Sequence, residues 1–179
     1  MDMDILRRRL TSDEINDLPL YHYTGPVLVI RSLNDWKQAL PDLQDENLLG
    51  FDTETRPSFR KGRRNAPALI QLATARSVYL VQLANLPFGA PVAEILANPS
   101  QVKAGVGIGD DMRDLARLHA FEPAGLVDLG GVARAHRLSS QGLRTLAANL
   151  FGWRISKGSQ CSNWSLKELT PRQVVYAAT

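Results

Sequence analysis

Hydrophobic positions divide the chain into short apolar runs, typical of strands, and longer segments with helical spacing. Apolar runs predict strands at residues 27–30, 48–55, 67–74, 77–82, 101–106 and 126–127. Apolar residues at helical spacing, together with capping residues, predict helices over residues 11–18, 32–43, 91–97, 110–119, 129–135, 143–151 and from 171 onward.

The order of these elements predicts a mixed α/β fold. Three consecutive strands lie between residues 48 and 82, and the short connection at Ala75 and Arg76 fits a hairpin. Later strands alternate with helices, a pattern that favours parallel pairing. We therefore expect one mixed sheet with helices on both faces. Residues 1–24 are expected to form a polar leader with one short helix, ahead of a single domain over residues 25–179.

Composition is consistent with a folded domain in a reducing compartment. The chain has 179 residues, of which 44% are hydrophobic, enough for a sizeable core. A single cysteine, Cys161, excludes an internal disulfide and favours a cytoplasmic location. The net charge of +3 and a basic isoelectric point of about 9.2 favour a polyanionic partner.

Two carboxylates, Asp52 and Glu54, end the second predicted strand. Residues at positions i and i+2 of a strand point to the same face, so these side chains are expected to stand side by side. A divalent cation would relieve both their repulsion and their desolvation, and hard oxygen ligands suit Mg²⁺ or Mn²⁺. Taken alone, the motif fits a strand that simply ends in solvent better.

A third carboxylate, Asp111, follows a glycine-rich turn at the start of a predicted helix. Helical spacing places Asp111 on the face of Leu115 and Leu118, which should point toward the sheet. Asp110 is predicted to cap this helix. The alternative is that Asp111 is only an acidic residue of the first turn. The glycines miss the spacing of a dinucleotide-binding turn.

A basic loop follows the carboxylate pair. Its cations within residues 56–64 are Arg56, Arg60, Lys61, Arg63 and Arg64. Contact with a phosphate backbone is one interpretation, because cations dominate non-specific affinity for nucleic acids. A solvated loop tip is the other interpretation. The position beside the carboxylates favours the first.

Taken in order, these motifs resemble the DEDD 3′–5′ exonucleases of the ribonuclease H-like fold. The branch that contains ribonuclease D and the Werner-helicase exonuclease domain is most similar. The resemblance covers residues 25–179 and rests on three motifs, at residues 51–54, at residues 106–115 and at residues 161–179, with further support from the strand at 68–72. It implies a ribonuclease H-like fold and hydrolysis of phosphodiester bonds from the 3′ end, with release of nucleoside 5′-monophosphates.

The resemblance also implies roles for individual residues. Asp52, Glu54 and Asp111 would hold two divalent metal ions, Mg²⁺ or Mn²⁺. Tyr176 would complete the catalytic set, as in the tyrosine branch of the family. With an ordinary pKa near 10, Tyr176 is expected to orient the attacking water rather than to accept its proton. The family's fourth carboxylate would fall at position 180, so we expect the natural protein to continue past Thr179.

The expected partner is single-stranded or 3′-ended nucleic acid, either DNA or RNA. Thr53 and Thr55 are expected to donate hydrogen bonds to the terminal nucleotide. Trp164 either stacks on a base or packs beneath the site, and packing is favoured because a lone tryptophan is more often part of a core.

Two other functions stay open at this point. The chain could be a nucleic-acid-binding module with impaired catalysis, which the absent fourth carboxylate would suit. It could also hydrolyse only very short oligonucleotides. The salt dependence of binding would separate these functions, since a short substrate releases few counterions.

Overall fold

The computed structural model describes residues 8–58 and 65–179. The strands are β1 (Val27–Ile30), β2 (Leu48–Thr55), β3 (Pro67–Ala73), β4 (Val78–Gln82), β5 (Val102–Gly105) and β6 (Leu126–Asp128). The helices are α1 (Ser12–Asp17), α2 (Leu33–Asp45), α3 (Ala90–Ala97), α4 (Ile108–Leu118), α5 (Leu129–Ala135), α6 (Leu143–Phe151) and α7 (Pro171–Ala178). Within these two described stretches, no helix is both long enough and apolar enough to cross a membrane.

The six strands form one mixed sheet in the order β1-β4-β3-β2-β5-β6. Strand β3 runs antiparallel to its neighbours β2 and β4, and the other neighbouring pairs are parallel. A tight turn joins β3 to β4, and in it the amide of Thr74 donates to the carbonyl of Ser77 at 2.9 Å. The predicted hairpin and mixed sheet are therefore confirmed.

Two apolar cores cover opposite faces of the sheet. The first combines Phe51 of β2 with side chains of α2, α3 and α4, including Met112. The second combines Leu69 of β3 with Trp164 and with Ala177 of α7. Helices thus lie on both faces, as the element order predicted. Because Glu54 pairs with Leu69 across the antiparallel ladder, Glu54 points to the face that α7 covers.

Local capping signals place the helix starts at both ends of the chain. Thr11 caps α1 and Thr170 caps α7, each in a reciprocal pair of hydrogen bonds with the residue three positions later. The amide of Gln173 donates to Thr170 Oγ1 at 3.3 Å, and the amide of Thr170 donates to Gln173 Oε1 at 3.0 Å. The start of α7, which carries Tyr176, therefore follows from sequence alone.

Helix α4 begins two residues earlier than the sequence predicts. Its N-cap is Gly107, not Asp110, and Gly107 has a left-handed φ of 75° that favours glycine. The amide of Gly107 donates to Asp128 Oδ1 at 3.0 Å, so a side chain from β6 holds this turn. The expectation for Leu118 was also wrong, since that side chain is 46% exposed, whereas Leu115 is fully buried.

Candidate active site

The site forms where β5 separates from β2. Strand β5 pairs with β2 only as far as Gly50, so the segment that carries Asp52 and Glu54 is paired on one side, with β3. Gly105 ends β5 in close contact with β2, because a Cβ at this position would lie 2.1 Å from the carbonyl oxygen of Phe51. The chain then turns into α4, and no other strand of the described residues pairs with this edge of β2 at the level of Asp52.

Asp52 and Glu54 share one face of β2, and both carboxyls are harder to ionise than usual. Burial raises the pKa of Asp52 to about 6, against the opposing effect of the Thr53 amide, and the charge of Asp111 raises it further. Burial, and then the charges of Asp52 and Asp111, raise the pKa of Glu54 to about 8. The three carboxylates therefore share one electrostatic environment in which their charges repel.

Thr53 connects this pair to Asp111. The hydroxyl of Thr53 is buried and donates to Asp111 Oδ1 at 2.5 Å, and its amide donates to Asp52 Oδ1 at 2.8 Å. Both donors of Thr53 are thus engaged inside the protein, so the expected donation to a nucleotide does not fit this arrangement. The structure instead shows Thr53 holding two carboxylates in place. The contact predicted for Thr55, which is half-buried, stays a prediction.

Tyr176 reaches the same carboxylates from α7. Burial, followed by electrostatic interaction with Glu54, Asp52 and Cys161, raises the pKa of Tyr176 to about 12. The ring of Trp164 lies 5.8 Å from the ring of Tyr176, centroid to centroid, and Trp164 is fully buried. A base cannot stack on a side chain with no exposed surface. Of the two alternatives that the sequence left open for Trp164, base stacking is therefore wrong, and the favoured one, packing beneath the site, is what the structure shows, with the ring against Tyr176.

A cleft of about 840 Å³ joins these groups to parts of the chain that the sequence did not connect with them. Asp52, Glu54 and Tyr176 line the cleft together with the leader, the segment before α6 and the loop at residues 155–160. The cleft cations Arg9, Arg144 and Lys157 were missed. They lie far apart in sequence and share no spacing, so no local signal could have grouped them.

The predicted basic loop is described only at its start. Arg60, Lys61, Arg63 and Arg64 lie outside the described residues. Arg56 is exposed and borders a smaller, separate pocket. Its carbonyl accepts a hydrogen bond from Asn65 Nδ2 at 2.8 Å.

The carboxylate oxygens at the site suit a divalent cation, although the described side chains do not surround a position that a cation could occupy. Carboxylate oxygens are the hard ligands that Mg²⁺ and Mn²⁺ prefer. Burial first, and then the neighbouring carboxylates, raise the pKa values of Asp52 and Glu54, and a bound cation would offset that cost of ionisation. Across residues 8–58 and 65–179, no three acidic, histidine or cysteine side chains are gathered closely enough to hold a metal ion as they stand. The hydrogen bond from Thr53 engages one of the two carboxylate oxygens of Asp111.

Gln71 is a further polar group beside the carboxylates. It pairs with Asp52 across the β2–β3 ladder. Its amide opposes the rise in the pKa of Glu54, although within the described part of the chain its buried Nε2 forms no hydrogen bond of normal geometry. Gln71 thus places a buried donor group beside the carboxylates of the site.

Known proteins are similar to this chain in sequence and in fold. A sequence profile described as 3′–5′ exonuclease matches residues 28–179. The bifunctional 3′–5′ exonuclease/ATP-dependent helicase WRN of Mus musculus is 31% identical over 174 residues, which cover 92% of this chain but only 12% of that protein.

Solved structures agree with this match. The Nibbler EXO domain of Aedes aegypti has a TM-score of 0.77 at 22% identity, with 88% of this chain and 84% of that chain covered. Ribonuclease D of Trypanosoma brucei, in complex with RNA U12, has a TM-score of 0.74 at 18% identity, with 93% and 60% covered. At these identities the structural similarities show the fold alone.

Proposed function

This chain belongs to the 3′–5′ exonuclease family, and we propose that it hydrolyses phosphodiester bonds from the 3′ end of a nucleic acid and releases nucleoside 5′-monophosphates. The observation that carries the proposal is the convergence of Asp52, Glu54 and Tyr176 on one open cleft, with Asp111 close enough to raise the pKa of both carboxyls. These residues come from β2, α4 and α7, which no local sequence constraint would bring together.

Single-stranded or 3′-ended nucleic acid is the substrate we propose, and the catalytic domain we propose is residues 25–179. The cleft supports this substrate, because it contains cations as well as carboxylates and a nucleic acid presents a phosphate at every nucleotide. A solved neighbour from Trypanosoma brucei is in complex with RNA U12. Both DNA and RNA are therefore included in the test.

We propose that Asp52, Glu54 and Asp111 hold two divalent cations. Such cations, when bound, stabilise charge on the attacking and leaving oxygens of phosphodiester hydrolysis. Ligating carboxylates must be ionised, so cations compete with protons at Asp52 and Glu54, whose pKa values are about 6 and about 8. Thr53 keeps Asp111 directed toward β2.

Tyr176 acts as a hydrogen-bond donor in this proposal. A pKa of about 12 keeps its hydroxyl protonated at neutral pH, so it cannot serve as the base that accepts a proton from water. Its contact with the buried ring of Trp164 fixes the side chain at the cleft wall. Orientation of the attacking water is the role that this geometry supports.

The test follows the degradation of 5′-labelled single-stranded DNA and RNA by the purified protein, with Mg²⁺ or Mn²⁺ and then with EDTA. We expect a ladder that shortens from the 3′ end, requires the cation and is lost in Asp52→Asn. The matched control is Glu94→Gln, an exposed carboxylate on α3, which should cleave like the wild type.

Three outcomes would contradict the proposal. Cleavage that persists in Asp52→Asn would show that this site does not catalyse the reaction. Binding of the strand without cleavage under any condition would favour the nucleic-acid-binding module. Degradation restricted to the shortest oligonucleotides would favour the short-oligonucleotide hydrolase.

A further inference from the structure

The N-terminal segment before β1 forms part of the cleft wall. Ile15 of α1 is buried, and Ser139 Oγ donates to the carbonyl of Arg8 at 2.9 Å. Farther along, the amide of Tyr21 donates to the carbonyl of Arg154 at 2.9 Å, and the amide of Arg154 donates to the carbonyl of Pro19 at the same distance. These contacts hold the segment against the chain that precedes α6 and against the chain that follows it.

This attachment positions a cation at the cleft. Arg144, in the first turn of α6, donates through Nη2 to Asn16 Oδ1 of α1. Its Nε atom is buried and has no hydrogen-bond partner among the described residues. The guanidinium is therefore held on one side by the N-terminal segment, while the half-buried side chain lines the cleft.

Arg144 shares the cleft with two more cations. Arg9 comes from the N-terminal segment and Lys157 from the loop after α6, and both side chains are exposed. Guanidinium and ammonium groups bind phosphate oxygens through charge-assisted hydrogen bonds. The carboxylates of Asp52 and Glu54 on the cleft wall cannot bind a phosphodiester by themselves, because like charges repel.

We propose that Arg9, Arg144 and Lys157 form a subsite for the sugar-phosphate backbone, and that the N-terminal segment builds this subsite by orienting Arg144 through Asn16. The identity of the ligand as nucleic acid rests on the proposed function, whereas the subsite itself requires no cleavage. A strand whose end lies at Asp52 and Glu54 then has cationic contacts within the same cleft.

The primary experiment measures the affinity for a 5′-labelled single-stranded oligonucleotide in EDTA, over salt concentrations from about 50 to 200 mM. The slope of log K against log salt is negative, and each lost phosphate contact should make it shallower by about 0.7 for a single strand. We expect this change for Arg144→Gln and for Lys157→Gln. The matched control is Lys37→Gln, an exposed cation on α2, which should leave the slope unchanged. Lys157 is exposed in a loop, so its variant tests the subsite even where Arg144→Gln weakens folding.

A second experiment tests the role of Asn16. Asn16→Ala removes no charge, yet it should weaken binding, because Arg144 loses its holding contact. The double variant Asn16→Ala with Arg144→Gln should lose no more affinity than Arg144→Gln alone, since both changes act on one interaction. Asn34→Ala, an exposed asparagine on α2, is the control and should bind like the wild type.

The results separate this inference from the proposed function. Wild-type slopes in both Arg144→Gln and Lys157→Gln, or a wild-type protein that binds no single strand, would overturn the subsite. Additive losses in the Asn16 and Arg144 double variant would overturn the positioning role. Absence of metal-dependent cleavage, with the slope changes present, would overturn only the exonuclease proposal.

Discussion

Replacing Glu54 by glutamine should stabilise the protein when no divalent cation is present. The side chain is half-buried beside Asp52, and its pKa rises from an ordinary 4.5 to about 8, first because of burial and then because of Asp52 and Asp111. Ionised Glu54 therefore costs the folded state more than the unfolded state. Glutamine has nearly the same shape and carries no charge, so it removes that cost.

The sign and size of the effect follow from the same pKa. A carboxyl that is harder to ionise in the folded state makes stability fall as the pH rises, here between about 4.5 and about 8. One pH unit of pKa displacement corresponds to about 1.4 kcal/mol, which sets a ceiling of about 5 kcal/mol. Because water screens a half-buried group, we expect a gain of about 1–3 kcal/mol above pH 8.

Thermal unfolding in EDTA at several pH values measures this gain. For a chain of this size, about 1 kcal/mol shifts the melting temperature by roughly 2–4 °C. Glu54→Gln should melt several degrees higher than the wild type above pH 8, and the difference should vanish near pH 4. Saturating Mg²⁺ or Mn²⁺ stabilises the folded state to which it binds. It should raise the melting temperature of the wild type more than that of Glu54→Gln, because the variant lacks one of the carboxylates proposed to hold the cation.

The control is Glu94→Gln on the exposed face of α3, which should change the melting temperature little at any pH. A difference between Glu54→Gln and wild type that is the same at pH 4 and above pH 8 would refute the electrostatic reasoning. A Glu54→Gln protein that is less stable than the wild type above pH 8 would refute it as well.

Three more predictions concern residues that shape the site. Gly105→Ala should lower stability by roughly 1–3 kcal/mol, because the new Cβ would lie 2.1 Å from the Phe51 carbonyl and 2.5 Å from Ile108 Cγ2; unchanged thermal unfolding would contradict this. Thr53→Val should lower kcat by about tenfold, whereas Thr53→Ser should stay near the wild type. Serine keeps a hydroxyl that can donate to Asp111, and a hydrogen bond to a carboxylate is worth about 1.5–3 kcal/mol. Equal rates in the two variants would exclude a role for this hydrogen bond. Tyr176→Phe should lower kcat by about a hundredfold and leave the alkaline part of the pH–rate profile unshifted, whereas a shifted alkaline limb would show that the tyrosine hydroxyl titrates during turnover.

Local sequence patterns determined much of the fold and part of the site. Alternation along β2 placed Asp52 and Glu54 on one face, because a strand repeats every two residues. The capping residue Thr170 set the start of α7 and so the position of Tyr176. These features depend on neighbours within a few residues, which a single sequence shows directly. The start of α4 was misplaced because Asp128, which holds Gly107, lies 21 positions away in the sequence.

Only the tertiary structure decided how distant groups meet. The hydrogen bond from Thr53 to Asp111 joins residues 58 positions apart, and the contact between Arg144 and Asn16 joins residues 128 positions apart. The structure also decided between the two alternatives left open for Trp164, because this side chain packs in one core cluster with Leu169 and with Ala177 of α7. Such contacts depend on which faces bury apolar surface together, a property of the whole packed chain. The sequence by itself therefore identified Asp52, Glu54 and Tyr176 as candidates for the chemistry, and the packing of the sheet, α7 and the N-terminal segment determined the cleft that they share with the cations.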